Sequence, residues 1–278
     1  MDMTDVLLGI VERSKAAIQT VDGDYFDVDS GLLMCGKCNT RKQIDVPIFG
    51  RVPCLCACGV AERNKKDAEI RKQTFDVWRE KAIKEGFPDR RMAEWTFAKD
   101  DGSDGKLTDK LHRYVDNFHR FIEKGQGLLL YGSVGTGKTF AACEVANGVL
   151  DRGYSVLVTD FRRILNDLQS TYDKQEYMDN LNRYKLLVID DLGVERETEY
   201  AKEQVYAVID ARSRSGLPLI VTTNLSLDVM KKPSNISEAR IYGRVLEKCY
   251  PILVEGKSHR RDNTIENYMS MKDILEGD

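Results

Sequence analysis

The sequence predicts an α/β fold class: a three-layer α/β/α domain on a five-stranded parallel sheet, preceded by a small helical, cysteine-rich unit. Three observations predict it. From Leu107 onward, helical patterns alternate with short runs rich in Leu, Ile and Val, as in βα units around a parallel sheet. The first of these runs leads into a glycine-rich loop and then a helix. Five of the seven cysteines fall between Cys35 and Cys58, in a stretch with little periodicity.

Taken in order, Val6, Leu7, Ile10, Val11, Ala17 and Ile18 recur near helical spacing, which predicts an amphipathic helix over residues 4 to 20. Residues 31 to 59 are rich in Cys, Gly and Pro and read as a small metal-stapled unit. A charged helix follows over residues 60 to 85 and ends at Gly86-Phe87-Pro88. The loose run from Lys99 to Gly105 marks the entry to the second domain, so the chain divides into domains 1–88 and 89–278. Five strands are predicted at Gly127 to Tyr131, Ser155 to Thr159, Lys185 to Ile189, Leu217 to Thr222 and Pro251 to Val254. Helices lie near 138–151, 161–172, 199–214 and 237–248. Ligands of such a sheet bind at the carboxyl ends of its strands.

The 278 residues carry 42 Lys plus Arg against 45 Asp plus Glu, a net charge of −3. Near-neutrality excludes gripping nucleic acid by bulk electrostatics and leaves only local basic clusters such as Arg162-Arg163 and Arg260-Arg261. No apolar run approaches the ~20 residues that span a bilayer. The start, Met-Asp-Met-Thr-Asp, lacks a secretory signal's basic and apolar segments. The expectation is a cytoplasmic protein with no membrane partner.

Gly132-Ser133-Val134-Gly135-Thr136-Gly137-Lys138-Thr139 satisfies G-x-x-x-x-G-K-[ST] between a strand and a helix. Its backbone N–H groups can cradle a β-phosphate at the helix N-terminus. Lys138 can reach the β and γ phosphates of ATP, and Thr139 offers a hydroxyl to Mg²⁺. Phe140 completes the nucleotide-contact set. The third strand ends in Asp190-Asp191: Asp190 is expected in the Mg²⁺ shell beside Thr139, and Asp191 to orient the attacking water. Strand four ends in Thr222-Thr223-Asn224, whose amide either bonds the water or γ-phosphate or is an ordinary turn residue. Arg240 and Arg244 share a helix, and Arg260 follows the last strand. Each reads as a solvated surface cation or as a stabiliser of phosphoryl charge, which can be supplied in trans.

Cys35-Gly-Lys-Cys38 and Cys54-Leu-Cys56-Ala-Cys58 together offer five thiols for the four places around a tetrahedral Zn²⁺. Four thiolates leave no open position for a substrate, so the site is expected to be structural. Free thiols and an iron-sulfur cluster are the alternatives. Residues 25 to 60 hold too few large apolar groups for a core, so metal binding would supply the missing folding free energy.

Together these motifs resemble the AAA+ helicase loaders of the DnaC and DnaI type, over roughly residues 90 to 262. The resemblance rests on the glycine loop, Leu187 to Thr198, Ile209-Asp-Ala-Arg212 and Thr222-Thr-Asn-Leu225. It also rests on Ala239-Arg-Ile-Tyr-Gly-Arg244-Val-Leu and Gly256-Lys-Ser-His-Arg260. It implies an AAA+ domain without a helical lid, a slow, partner-stimulated ATP hydrolase. Asn224 would be the sensor-1 residue, Arg244 the arginine finger with Arg240 as alternative, and Arg260 the sensor-2 arginine. The helix departs from the family in reading Tyr-Gly-Arg where Asp-Arg is usual. A Cys-x-Cys pair closing the loop favours Cys35, Cys38, Cys56 and Cys58 as the zinc set, with Cys54 spare. The implied partners are a hexameric replicative helicase, bound through the N-terminal region, single-stranded DNA, and further copies of the AAA+ domain. Phe161, Arg162 and Arg163 are candidates for DNA contact, with Phe161 as plain core the competing reading. Two other functions share these features: an IstB-like transposition helper acting on duplex DNA, and a zinc-stapled adaptor whose nucleotide is structural.

Overall fold

Leu128 and Leu130 point to one side of their strand and Leu129 to the other, and two separate apolar cores result. The computed structural model describes residues 21–193, 198–256, 271–272 and 274–276. The helix expected over residues 4 to 20 and Arg260 lie outside the described residues. By internal contacts the chain forms two compact units, Met1–Asp76 and Val77–Asp278.

In the first unit, β1 (Tyr25–Phe26) pairs antiparallel with β2 (Leu33–Met34), and β3 (Gln43–Val46) with β4 (Gly50–Pro53). Asp27 closes the first hairpin by accepting hydrogen bonds from the Ser30 N–H and Oγ. Strands of two and four residues are too short to show a period of two, so the sequence predicted no hairpins here. Its other expectation holds: Leu33 is buried, but Phe26, Val28 and Ile48 are exposed. Helix α1 (Ala57–Gly86) follows, carrying i,i+4 ion pairs such as Glu62 with Lys66 at 2.8 Å.

In the second unit, α2 (Gly105–Asp116) and α3 (Phe118–Lys124) precede β5 (Gly127–Tyr131). Then come α4 (Lys138–Asp151), β6 (Val156–Asp160), α5 (Phe161–Ser170), α6 (Lys174–Leu181) and β7 (Leu186–Leu192). The chain continues through α7 (Glu199–Ser215), β8 (Leu219–Thr223), α8 (Leu227–Lys231), α9 (Ile236–Lys248) and β9 (Cys249–Leu253). All five strands are parallel, in the order β6-β7-β8-β5-β9. The three-layer expectation is met. One face packs Leu128, Leu130, Val188 and Ile220 against α2 and α4; the other packs Leu129, Ile189 and Val221 against α5, α7 and α9.

Two features of this order place the site. Strand β8 is inserted between β5, which feeds the glycine loop, and β7, which carries the aspartates. Asn224 therefore leaves the sheet edge between them. The observed β7 also runs past the predicted Ile189 to Leu192, with a register shift between Ile189 and Leu192. Buried Arg212 ties the opposite ends of β7 and β8 together, donating to the carbonyls of Tyr184, Lys185 and Pro218.

Candidate functional site

Most helices of the second unit begin on a side-chain cap. Asp104, Asp160, Asp173, Thr198, Ser226 and Asn235 each accept a backbone N–H of the first turn. Helix α4 instead starts on Gly137 at φ 90°, with no side-chain cap. Its first N–H groups are thus left to an anion, in the helix's positive end. The loop before it curls tightly. Gly132 has φ 151°, and a Cβ there would lie 2.3 Å from the Val254 carbonyl oxygen, so only glycine fits. Thr136 Oγ1 and Lys138 Nζ both donate to the Ser133 carbonyl, at 3.0 and 2.6 Å. Val134 through Ala141 form one wall of a cavity of about 690 Å³, large enough for a nucleotide.

The glycine loop and β7 meet at Thr139, whose Oγ1 donates to the Asp190 carboxylate, 3.0 Å from each oxygen. Thr222 Oγ1 donates to Asp190 Oδ1 at 2.5 Å and accepts the Asp191 N–H at 2.9 Å. Burial raises the Asp190 pKa, and the Thr222 and Thr139 hydroxyls offset part of that rise. A hydroxyl and a carboxylate at this separation are hard oxygen donors that suit Mg²⁺. Adjacent strand residues ordinarily face opposite ways. Asp190 meets the Thr139 and Thr222 hydroxyls, whereas Asp191, left-handed at φ 59° at the register shift, lines the cavity beside Asn224.

Among the other candidate residues, Phe161 follows the competing core reading rather than base stacking. Phe161 is 1% exposed and belongs to the core, so stacking on a base is excluded as it stands, because the first turn of α5 turns its apolar side inward. Arg162 lines the nucleotide cavity and Arg163 is exposed. Arg244 is not among the cavity-lining residues; it pairs with Asp210 at 3.2 Å and Glu247 at 2.9 Å. Arg240 is exposed on the same helix. Sequence reasoning missed Trp95, Asp100, Leu107, Thr108 and Glu144, which complete the cavity. They come from segments tens of residues apart, and no local spacing links them.

In the first unit, the Sγ atoms of Cys35, Cys38, Cys56 and Cys58 all lie within 4.8 Å of one another. Cys56 and Cys58 are 3.2 Å apart and Cys35 and Cys58 are 3.6 Å apart. A tetrahedron with Zn–S bonds of about 2.3 Å has edges of about 3.8 Å, so the set fits one ion. Cys54 stands outside it, donating to the Arg41 carbonyl. The Thr40 hydroxyl and backbone N–H groups bring the Cys38 thiol down to about 5, and backbone N–H groups also lower Cys35. The sulfurs of Cys56, Cys35 and Cys38 push Cys58 up to about 12. Gly36 is required at this knuckle, since a Cβ would fall 1.9 Å from the Gly23 carbonyl oxygen.

The parallel sheet, uncapped glycine-loop helix and adjoining carboxylates define an AAA+ type nucleotide-binding domain. The profile of the family described as "IstB-like ATP binding protein" matches residues 60–267, and the chain belongs to that family. It is 28% identical over 180 residues to the replicative helicase loader DnaI of Bacillus subtilis, covering 59% of this chain and 58% of that protein. It is 31% identical over 128 residues to the replicative helicase loader DnaC of Escherichia coli K12, covering 44% and 51%. The chain thus spans between half and three-fifths of these relatives. The crystal structure of DnaI superposes with a TM-score of 0.51 at 25% identity, covering 63% of this chain and 96% of that one. Among the described residues no helix is long and apolar enough to cross a membrane.

Proposed function

We propose that the chain binds and hydrolyses Mg-ATP at its glycine loop and uses the nucleotide state to place a hexameric replicative helicase on single-stranded DNA. The contact between Thr139 and Asp190 carries the reading, because a loop that held no metal-nucleotide would gain nothing from a half-buried carboxylate 3.0 Å from its hydroxyl. Thr139 and Asp190 would hold the magnesium, which when bound supplies charge neutralisation at the phosphates. Lys138 orients the β and γ phosphates, Asp191 holds the attacking water, and Asn224 senses the γ-phosphate from between them.

Arg244 serves as the finger toward a neighbouring copy's nucleotide, released from Asp210 and Glu247 on self-association, and Arg260 as the sensor-2 arginine. Cys35, Cys38, Cys56 and Cys58 hold a structural zinc, and residues 1–88 form the helicase-binding domain of a cytoplasmic protein. The likeness to two helicase loaders supports this reading.

The test is a pull-down of a purified hexameric replicative helicase by the full chain, with and without Mg-ATP and single-stranded DNA. Helicase capture that responds to ATP, and a Lys138→Ala variant that captures without responding, are expected. No capture under any condition sinks the loader reading; capture of a transposase on duplex DNA instead would favour the insertion-sequence helper.

A further inference from the structure

We propose that Glu144 reads the nucleotide's base, its carboxyl meeting the amino-imine edge of adenine at the far end of the cavity and setting the preference for ATP over GTP. The proposal deepens the Mg-ATP reading and rests on it. Glu144 lies on α4 six residues beyond Lys138, about 9 Å along the helix axis. That is the distance from the phosphates at which a base must lie, and Glu144 lines the same cavity as the glycine loop.

The wall opposite is built for a flat ring. Asn147 on α4 donates to the Met92 and Trp95 carbonyls at 3.1 and 2.9 Å, clamping the segment before α2 against the loop helix. Trp95, so held, faces Phe140 with ring centroids 5.9 Å apart, and Leu107 adds an apolar side chain to the cavity.

Within this mixed lining of aromatic, aliphatic and charged side chains Glu144 stands out. It is 3% exposed, and its Oε1 is sealed from solvent and, among the described residues, has no hydrogen-bond partner. Buried carboxyl oxygens are otherwise almost always partnered. A turn of the carboxyl into the cavity that Glu144 lines would let the ligand supply the missing partner. Asp100 and Asp101 act on the carboxyl through their charge, and Lys99, Asp104, Lys138, Arg162, Asp191 and Glu255 are the other charged residues lining the cavity. Burial first, then the two aspartates, raise its pKa to about 8. A neutral carboxyl offers one donor and one acceptor, the complement of adenine N1 and the N6 amino group. A carboxylate offers acceptors only and suits the two adjacent N–H groups of guanine instead.

The experiment measures mant-ATP and mant-GTP affinity for the full chain, Glu144→Gln, Glu144→Ala and Lys138→Ala, at about pH 6 and about pH 9, either side of the raised pKa. Wild type should prefer ATP by about tenfold at the lower pH, the worth of a good paired contact to a base edge, and lose that preference at the higher. Glu144→Gln presents a donor and an acceptor at every pH and should keep the preference at both. Glu144→Ala should bind ATP and GTP alike, while Lys138→Ala loses both. An ATP:GTP ratio unmoved by either Glu144 variant, or a Gln variant that follows the wild-type pH profile, overturns the proposal; the Gln profile decides alone if the Ala variant does not fold. Wild type that binds neither nucleotide overturns the Mg-ATP reading itself, and this proposal with it.

Discussion

At residue scale, the energetics of the nucleotide cavity turn on two acids held in unlike ways. Burial raises both carboxyls, but the Thr222 and Thr139 hydroxyls offset part of the rise at Asp190, whereas among the described residues Glu144 Oε1 has no hydrogen-bond partner. The sign of the pH effect follows. A carboxyl whose pKa rises from 4.5 in the unfolded chain to about 8 in the folded one binds its proton more tightly when folded. Its contribution to stability is fully present below pH 4.5 and is lost as pH rises toward about 8. Glu144→Gln should therefore be more thermostable than wild type near the upper end of that window and similar to it near the lower end. Melting curves of both proteins across the window check this, and parallel curves would remove Glu144 as a titrating core group.

At the scale of elements, the sheet is held at both ends by side chains that bridge strands. At the carboxyl edge, Thr222 of β8 accepts the Asp191 N–H and donates to Asp190, fixing the irregular end of β7. At the other edge Arg212, fully buried at the end of α7, gives its guanidinium to three carbonyls, and burial lowers its pKa to about 9. Arg212→Met would keep much of the volume and strand those carbonyls, at a cost of about 3 kcal/mol. Denaturant unfolding measures that loss, and a change under about 0.5 kcal/mol, the range of an ordinary surface substitution, would show that the carbonyls find water instead. The strand cores at this scale were legible beforehand, whereas the helix caps were not read. The predicted and observed bounds of β5 and α4 coincide, because the apolar run and the glycine loop both have sharp ends. Helix α6 was not anticipated, since Tyr177, Met178 and Leu181 give too weak a stripe to stand out from its charged residues.

At the scale of the whole molecule, the two compact units have opposite sources of stability. The unit Val77–Asp278 has two apolar cores on either face of a five-stranded sheet and can fold on burial alone. The hairpins of residues 25–53 have strands of two and four residues and leave Val28 98% exposed, and a metal at their four-thiol cluster, as proposed above, would hold them. Under the structural-zinc proposal, adding a chelator to purified protein should collapse hydrogen-exchange protection in residues 25–56 while leaving β5 to β9 protected. Protection that survives full metal removal would show that the cluster is dispensable for folding.

The sequence by itself determined the parallel sheet, the glycine loop around Lys138, the aspartate pair and the clustered cysteines. In each case the chemistry is written within a few neighbouring residues, and strand period or motif spacing reports it. Only the tertiary structure decided that Asp191 turns into the cavity, that Phe161 is core rather than a base contact, and that Trp95 and Glu144 line the same cavity as the glycine loop. Those outcomes depend on a strand register, a helix face and the meeting of segments some fifty residues apart, and packing alone sets such relations.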